Sequence, residues 1–481
     1  MTEEHQNENS FRTQRIAHME ALAERGYAPF GGRYERSGSL ADTAAGFAEG
    51  ASARLAGRIA TLRTMGKSIF VHLQDATGRF QIYVRKDAIG DEAFAAFKLL
   101  DLGDHIGVAG DLFVTRMGER TLNVKEWTLL AKALLPPPAK WHGLQDVEIR
   151  YRQRYLDLMA NAEVCDLFRQ RSCAVKAMRD FLYGRGYLEV ETPMMQALPG
   201  GAAAHPFKTR YEALSTDVYL RIAPELYLKR LLVGGFDRVF ELNRNFRNEG
   251  LSRYHNPEFT MCEIYEAYGN VRTMMELVSE LIRHVAESVY GGLVFGEGEQ
   301  QVDLNPPWRE VPYRDLVRER AGADWFELDA TGRQVRATEL GVKLDTAWSA
   351  TEVTQEVFEK CIEKRLMNPT FVTRLPKELV PLAKTCRDDP ASVDVFELII
   401  GGREIAPGYE ELNDPLEQRC RFEAQAAGDA SKLDEDFLRA LEHGMPPAGG
   451  MGIGIDRLIM ILSQVDAIRD VILFPQLKPK A

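Results

Sequence analysis

The segment VFELNRNFRNEGLSRYHNPEFTMCEIYEAY, residues 239–268, holds an unusual concentration of side chains able to handle a charged substrate. Its two ends alternate like strands, and the turn-rich RNEGLSRYHNP between them predicts an antiparallel pair joined by a long loop. In that arrangement Phe259, Glu263 and Tyr265 share one face of the second strand, while Arg247 keeps the parity of Glu241 and Asn243. An aromatic ring, a carboxylate and a phenol on one face suit a pocket floor. An arginine at the end of the first strand can offer a bidentate fork to a phosphate, where charge develops during phosphoryl or nucleotidyl transfer. A solvated sheet face explains any one of these residues, but explains the set poorly.

Two further segments carry charge in patterned positions. In DVFELIIGGREIAPGYEELND (394–414), Gly401-Gly402 reads as a two-residue hairpin turn that pairs Ile400 with Arg403 and Ile399 with Glu404. Glu397 and Glu404 then become diagonal neighbours on one face, roughly 7 Å apart at the backbone. Two carboxylates so placed repel unless a cation bridges them, and magnesium held by nucleotide phosphates is the natural candidate. An exposed acidic pair beside Arg403 is the plainer alternative. In GGMGIGIDRLIMIL (449–462) a glycine-rich strand enters an apolar helix, with Asp456 as the expected N-cap and Arg457 in the first turn as a second phosphate contact. The glycines serve either close ligand approach or close strand packing. Neither MGKS at 65–68 nor this glycine run is a nucleotide loop of the familiar kinds: the first has Thr61 where a P-loop needs glycine, and the second is spaced G-x-G-x-G with too few residues left for a βαβ unit.

These groups need a framework, and the rest of the chain supplies candidates. The sequence has 481 residues, enough for two or three cores. The apolar spacing of Ile16, Met19, Leu22 and Ala23 predicts an amphipathic helix from about Phe11 to Arg25, carrying Arg12, Arg15 and Arg25, after a frayed polar tail. SGSLADTAAGFAEGA (37–51) reads as a linker. Between about 53 and 132 come five short alternating segments, RLAGRIATLR, KSIFVHLQD, FQIYVR, HIGVAGDLFVTR and LNVKEWTLL, with the helix-like DEAFAAFKLL inserted. That pattern predicts a small closed barrel of the OB type, with or without a single-stranded nucleic acid as ligand. LLPPPAKWHG (134–143) is a stiff boundary, and a long mixed region follows. The expected division is 1–50 tail, helix and linker, 51–132 barrel, 133–144 linker, and 145–481 catalytic domain with a helical insert at about 310–385.

Composition narrows the classes without choosing among them. The net charge of −11 argues against a protein that coats nucleic acid indiscriminately, while leaving room for local basic patches. No stretch approaches the roughly 20 apolar residues of a membrane span, and the acidic N-terminus resembles neither a signal nor a transit peptide. A cytoplasmic protein without a membrane role is expected. Six scattered cysteines, with no C-x-x-C pair, point to reduced thiols rather than a zinc site or disulfides.

Taken in order, the three charged segments resemble the signature motifs of class II aminoacyl-tRNA synthetases. VKAMRDFLYGRGY leading into LEVETPMM with Pro193 resembles the family's first motif, which implies a homodimer interface. GGAAAHPF, RIAPELYLKRL, FRNEGLSRYHNPEFT and GGREI are specific strings, and with the barrel they extend the resemblance over nearly the whole chain, to the lysine-activating branch. The resemblance implies an α+β fold, an N-terminal OB-fold barrel followed by an antiparallel-sheet catalytic domain. It also implies activation of L-lysine with ATP, transfer to the tRNA for lysine, and Mg2+ at about three ions per subunit.

Roles carry over residue by residue. Arg247 is similar to the arginine on the α-phosphate and Arg457 to that on the γ-phosphate, and Phe259 to the ring that stacks on adenine. Glu249, His255 and Asn256 match nearby nucleotide contacts, and Glu397 and Glu404 match metal ligands, with Glu397 also on the ATP side. Glu225 resembles the contact to the substrate α-amino group, with Gly201 beside it. Glu263, Tyr265, Tyr409 and Glu411 match the side-chain pocket. A substrate ammonium calls for carboxylates and hydroxyls, whereas an aspartate-binding relative would need a cation there. Phe70, Gln81 and Glu126 occupy the anticodon-reading positions, suited to stacking and base-edge hydrogen bonds. Pro407 stands where the family usually has asparagine, and His205 where it usually has arginine or lysine. A paralogue that lysylates a protein, and a catalytically silent tRNA-binding relative, are the two competing readings. The barrel argues against the first and the intact charged set against the second.

Overall fold

The computed structural model describes residues 3–138, 144–202, 204–345, 348–426 and 433–479. Residues 139–143 of the expected linker, Ala203 of GGAAAHPF and the first two residues of the tail lie outside them. The chain divides into two compact units, one built mainly from residues 1–146 and the other mainly from residues 162–481.

In the first unit, strands β1 (Ser52–Met65), β2 (Ser68–Gln74), β3 (Arg79–Arg85), β4 (His105–Val114) and β5 (Arg120–Ala131) close into a barrel in the order β1-β2-β3-β5-β4. Period-two alternation drives the closure. Ile69, Val71 and Leu73 of β2 are fully buried, while Phe70 and His72 between them stay partly exposed. MGKS is a hairpin: Met65 pairs with Ser68 and Gly66 adopts φ +61°, a conformation glycine takes without steric cost. Three expectations change here. The first helix, α1, spans Glu3–Glu24, so helix replaces most of the expected frayed tail. Arg15 is no surface cation: it is buried and donates from Nη1 to the carbonyls of Leu102, Ala133 and Leu135. The supposed linker contains a short helix, α2 (Leu40–Ala45), with a Ser39–Asp42 capping box, and Leu40 enters the barrel core. Its Gly/Ala richness concealed one buried leucine.

The second unit is organised on an eight-stranded sheet. Its strands are β6 (Leu188–Glu189), β7 (Arg238–Phe246), β8 (Glu258–Ala267), β9 (Arg309–Pro312), β10 (Thr370–Thr373), β11 (Val395–Ile400), β12 (Arg403–Glu410) and β13 (Ala448–Gly454). The order is β9-β10-β11-β12-β13-β8-β7-β6, antiparallel throughout the middle and parallel only at the two edge pairs. Residues 310–385 are therefore not purely helical: they hold three α-helices, but also strand β10, which joins the sheet.

Helices α3 (Ala162–Gly184), α5 (Val271–Val285) and α6 (Ile455–Leu462) pack on one face. Helix α5 shows why. Asn270 caps it, and Met274, Val278, Leu281, Ile282 and Val285 recur at helical spacing toward the sheet. Each such burial contributes about 1.5–3 kcal/mol. They meet Cys262 and Ile264 of β8, Phe396, Leu398 and Ile400 of β11, and Met451 and Ile453 of β13. Alternation then turns Glu263, Tyr265, Glu397 and glycines 450, 452 and 454 to the opposite face. That open face carries the candidate site. α4 (Glu225–Val233) supplies a further wall, packing its Leu226, Leu228 and Leu232 beside Tyr265.

Candidate active site

Strands β7 and β8 pair as the alternation predicts, with Glu241 opposite Glu263 and Asn245 opposite Phe259. Tyr265 Oη donates to Glu263 Oε2 at 3.1 Å, and both residues are buried. From the start of α4, after Pro224, Glu225 turns toward them, and Tyr409 Oη donates to Glu225 Oε1 at 2.5 Å. Gly201 lies against this acid with φ +84°; a Cβ there would sit 3.1 Å from that of Glu225. Glu411 follows strand β12 and is completely buried. Sequence reasoning missed its partner: Lys229, also fully buried, ion-pairs with Glu411 Oε2 and sits 2.7 Å from Glu225 Oε1. The i,i+4 spacing of Glu225 and Lys229 on a helix was the available signal.

Burial, then the neighbouring charge of Glu225, pushes the Glu263 carboxyl up to about 8. Without a cation beside it, this carboxyl holds its proton at neutral pH. A second missed pair backs the pocket. Arg221 Nη1 donates to Glu241 Oε1 at 2.6 Å and Thr192 Oγ1 to Oε2 at 2.6 Å, with Arg221 and Glu241 out of water. Gly450 serves packing rather than a ligand: a Cβ there would fall 2.0 Å from Glu411 Oε1 and 2.5 Å from the Tyr265 ring. A Cβ on Gly452 would strike Met261 at 2.7 Å. Gly454 differs, since it lines open space and nothing crowds its Cβ position closer than 3.6 Å.

Beside this pocket lies a cleft with about 820 Å³ of empty volume, lined by Arg247, Glu249, His255, Asn256, Phe259, Glu404, Pro407, Gly454 and Arg457, among others. The Arg247 backbone N–H closes the β7–β8 loop onto Pro257 O at 2.9 Å. Its guanidinium carbon lies 5.1 Å over the Phe259 ring, and its Nε is buried without a hydrogen-bond partner. An unpartnered arginine donor beside a cavity is chemistry suited to an anion. Arg457 Nη1 donates to Glu404 O at 2.9 Å, and its Nη2 lies 3.1 Å from His255 Nε2. Because arginine can only donate, His255 Nε2 accepts, which leaves the proton on Nδ1 facing Ser252 Oγ at 2.8 Å. Burial first, then Arg457, holds His255 below its usual pKa, in agreement with a neutral ring.

Two residues take structural roles instead. Asn256 spends its amide on the loop, donating to Glu258 O at 2.6 Å and accepting from Gln476 N at 3.3 Å. Asp456 is not the N-cap, because helix α6 begins after Gly454. Its carboxylate accepts from Thr260 N at 2.8 Å and pairs with Arg171 at 2.7 Å, locking α6 to β8 and α3.

Gly401 and Gly402 adopt φ +60° and +67°, and the hairpin pairs Ile400 with Arg403 and Ile399 with Glu404 as expected. Beyond that the register slips. A bulge pairs Leu398 with Ala406 and Glu397 with Pro407, one residue away from the regular ladder. Ile405 and Ala406 both reach the core as a result, which strict alternation would forbid. Glu397 still feels Glu404: burial and then that charge, followed by Glu363 and Glu359, raise it well above the carboxylate range. Glu363, missed in the sequence, accepts from Glu404 N at 3.0 Å, and burial pushes it up to about 6. Among the described residues no three acidic, histidine or cysteine side chains are placed as a ready metal cage.

In the barrel, Phe70 stacks on Tyr83 with centroids 4.5 Å apart, and Phe113 stands 6.0 Å beyond, forming an aromatic row only partly legible in sequence. Gln81 is buried and donates to Thr121 Oγ1 at 2.8 Å. Glu126 is exposed on β5, past a bulge that pairs it with Ala109.

Comparison with known proteins agrees with this geometry. Residues 146–478 match the model of class II tRNA synthetases (D, K and N), and residues 53–130 match an OB-fold nucleic acid binding domain. A lysine–tRNA ligase of Pelotomaculum thermopropionicum is 50% identical over 95% of this chain and 93% of its own. Lysine–tRNA ligases of Syntrophomonas wolfei and Bacillus subtilis are 47% and 46% identical, the first covering 100% of this chain and 99% of its own, the second 100% of both. On the antiparallel sheet, its charged face and these matches, the chain belongs to the class II tRNA synthetases of the D, K and N group.

Proposed function

We propose that this chain is an ATP-dependent lysine–tRNA ligase, which activates L-lysine as the adenylate and joins it to the terminal adenosine of its tRNA. The observation that carries the choice of lysine is the buried acidic pocket of Glu225, Glu263 and Glu411 with the hydroxyls of Tyr265 and Tyr409. Such a pocket rewards ammonium groups and rejects a carboxylate side chain.

In this reading Glu225, with Gly201 against it, receives the α-amino group, and Glu263, Tyr265, Tyr409 and Glu411 surround the side chain. The lysine carboxylate then points toward Arg247 and attacks the α-phosphorus in line, and pyrophosphate departs. No protein nucleophile or general base is required. Arg247 and Arg457 stabilise charge on the phosphates, Phe259 offers a face to adenine, and Glu249 and His255 border the nucleotide. Asn256 holds the loop that presents them. The donor set of Glu397 and Glu404 fits magnesium, because their mutual repulsion is relieved by a divalent cation that takes its other ligands from phosphate and water. Bound there, magnesium would supply charge neutralisation to the phosphate oxygens. A tRNA hydroxyl next attacks the adenylate carbonyl, releasing AMP.

The division at 51–132 and 145–481 separates anticodon reading, by Phe70, Gln81 and Glu126, from this chemistry. A homodimer through α3 and β6 is supported by the exposure of Tyr183 and Leu188 on them, and a sedimentation mass of two chains is expected. Among the described residues no helix is long and apolar enough to cross a membrane, and a cytoplasmic site of action follows from the tRNA substrate. Charging purified tRNA for lysine with labelled lysine, against a protein acceptor in parallel, tests the proposal. Label in tRNA alone is expected, and label in protein alone would replace this reading with protein lysylation.

A further inference from the structure

We propose that Lys229 is a positioning and specificity residue of the amino-acid pocket, tying the Glu225 and Glu411 carboxylates together and leaving the pocket two negative charges for the two ammonium groups of lysine. The inference rests on the lysine reading above and deepens it.

The geometry is direct. Lys229 Nζ is out of water, 2.7 Å from Glu225 Oε1, in an ion pair with Glu411 Oε2, and 5.5 Å from the Tyr409 ring centroid. It therefore spans the acid assigned to the α-amino end and one assigned to the side-chain end. Among the described residues, Glu225, Glu411 and Tyr409 are the groups that face it. Burial works to neutralise the ammonium, yet Glu225 and Glu411 outweigh burial and hold its pKa above the ordinary lysine value. A charged Lys229 has a consequence for recognition. Glu225, Glu263 and Glu411 carry three negative charges when ionised, and one ammonium reduces them to two. Lysine completes the balance with its own two ammonium groups. An amino acid with an apolar side chain of the same length brings only one, and leaves a buried charge uncompensated. Glu411 is also fully buried behind this cation, so its part in recognition runs through Lys229.

The test compares the full-length wild type with Lys229→Met, Glu411→Gln and the Lys229→Met/Glu411→Gln double variant. Lysine-dependent ATP–pyrophosphate exchange is measured from pH 6.5 to 9, with norleucine as the competing apolar substrate. The expected result for Lys229→Met is a lysine KM raised about tenfold to hundredfold with an ATP KM within about twofold. The pH dependence of its lysine KM extends to higher pH, since Glu411, already raised by burial, loses the cation that lowers it, and its preference for lysine over norleucine narrows. The double variant removes one positive and one negative charge and so keeps the two net negative charges of the wild type. It is expected to bind lysine better than either single variant, and it serves should Lys229→Met fail to fold. An unchanged lysine KM in Lys229→Met, lysine and ATP KM rising together with no change in pH profile, or a double variant that binds lysine more weakly than both single variants would each overturn the inference while the wild type remains active with lysine. A wild type inert toward lysine overturns the functional reading and this inference with it.

Discussion

The amino-acid pocket and the nucleotide cleft share one face of one sheet, yet they are built on opposite principles. In the pocket, charge is buried and held in close pairs: the side chains of Lys229 and Glu411 are 0% exposed, and those of Arg221 and Glu241 1%. In the cleft, Arg457 and Glu404 are 26% and 38% exposed, 3.5 Å apart, and Arg247 keeps an unpartnered donor. Buried pairs cost dearly to break and fix geometry, whereas half-exposed pairs rearrange cheaply. The contrast fits the two ligands. A small amino acid must be told from close relatives, and a rigid, charge-balanced pocket does that. A triphosphate brings its own charge and metal, and adaptable arginines suffice to clamp it.

The largest effect should come from the cleft. Arg247→Ala is expected to lower kcat for adenylate formation about 100- to 1000-fold, the usual loss when a donor to developing transition-state charge is removed. Single-turnover kinetics separate that step, and a kcat within fivefold of wild type would remove Arg247 from the transition state. The pocket answers next. Glu263→Gln is expected to raise the lysine KM roughly tenfold to hundredfold, matching about 1.5–3 kcal/mol for a charged hydrogen bond, with little change in the ATP KM. Equal changes in both constants would erase the division between the two regions.

A pH series sharpens it further. Lysine binding needs Glu263 ionised, and its carboxyl titrates at about 8 in the free protein. The free enzyme therefore releases a proton on binding, and the lysine KM should fall by up to about tenfold per pH unit between 6.5 and 8, then level off. A pH-independent lysine KM over that range counts against a protonated pocket, and Glu263→Gln should flatten the profile. The smallest effect is reserved for Pro407, which lines the cleft and offers it neither a side-chain amide nor a backbone N–H. Pro407→Asn should improve the lysine KM about two- to tenfold, worth one ordinary hydrogen bond.

Most of the open face was legible in the sequence because strands report their faces by parity. Glu263 and Tyr265, the Gly401-Gly402 turn, and Arg247 at a strand end all follow from period two and turn chemistry. What escaped was what parity cannot carry. The bulge at Ile405 shifted Glu397 onto Pro407, and an extra residue in a ladder leaves no mark in residue type. Lys229 was not singled out, because its two partners come from a helix turn and from the far end of another strand. Asp456 looked like a helix cap for the opposite reason: local spacing suggested a local role, but its carboxylate reaches β8 and α3 instead. Local pattern finds faces and turns. Long-range pairing decides which charges are free.

The central claim is that a charge-balanced acidic pocket beside an adaptable phosphate cleft selects lysine for adenylation. ATP–pyrophosphate exchange with each amino acid in turn, on the full-length chain with magnesium, tests it most directly. The account predicts exchange with lysine far above that with aspartate, asparagine or norleucine. Exchange driven by aspartate or asparagine, or none with lysine from a folded chain that binds ATP, would contradict it.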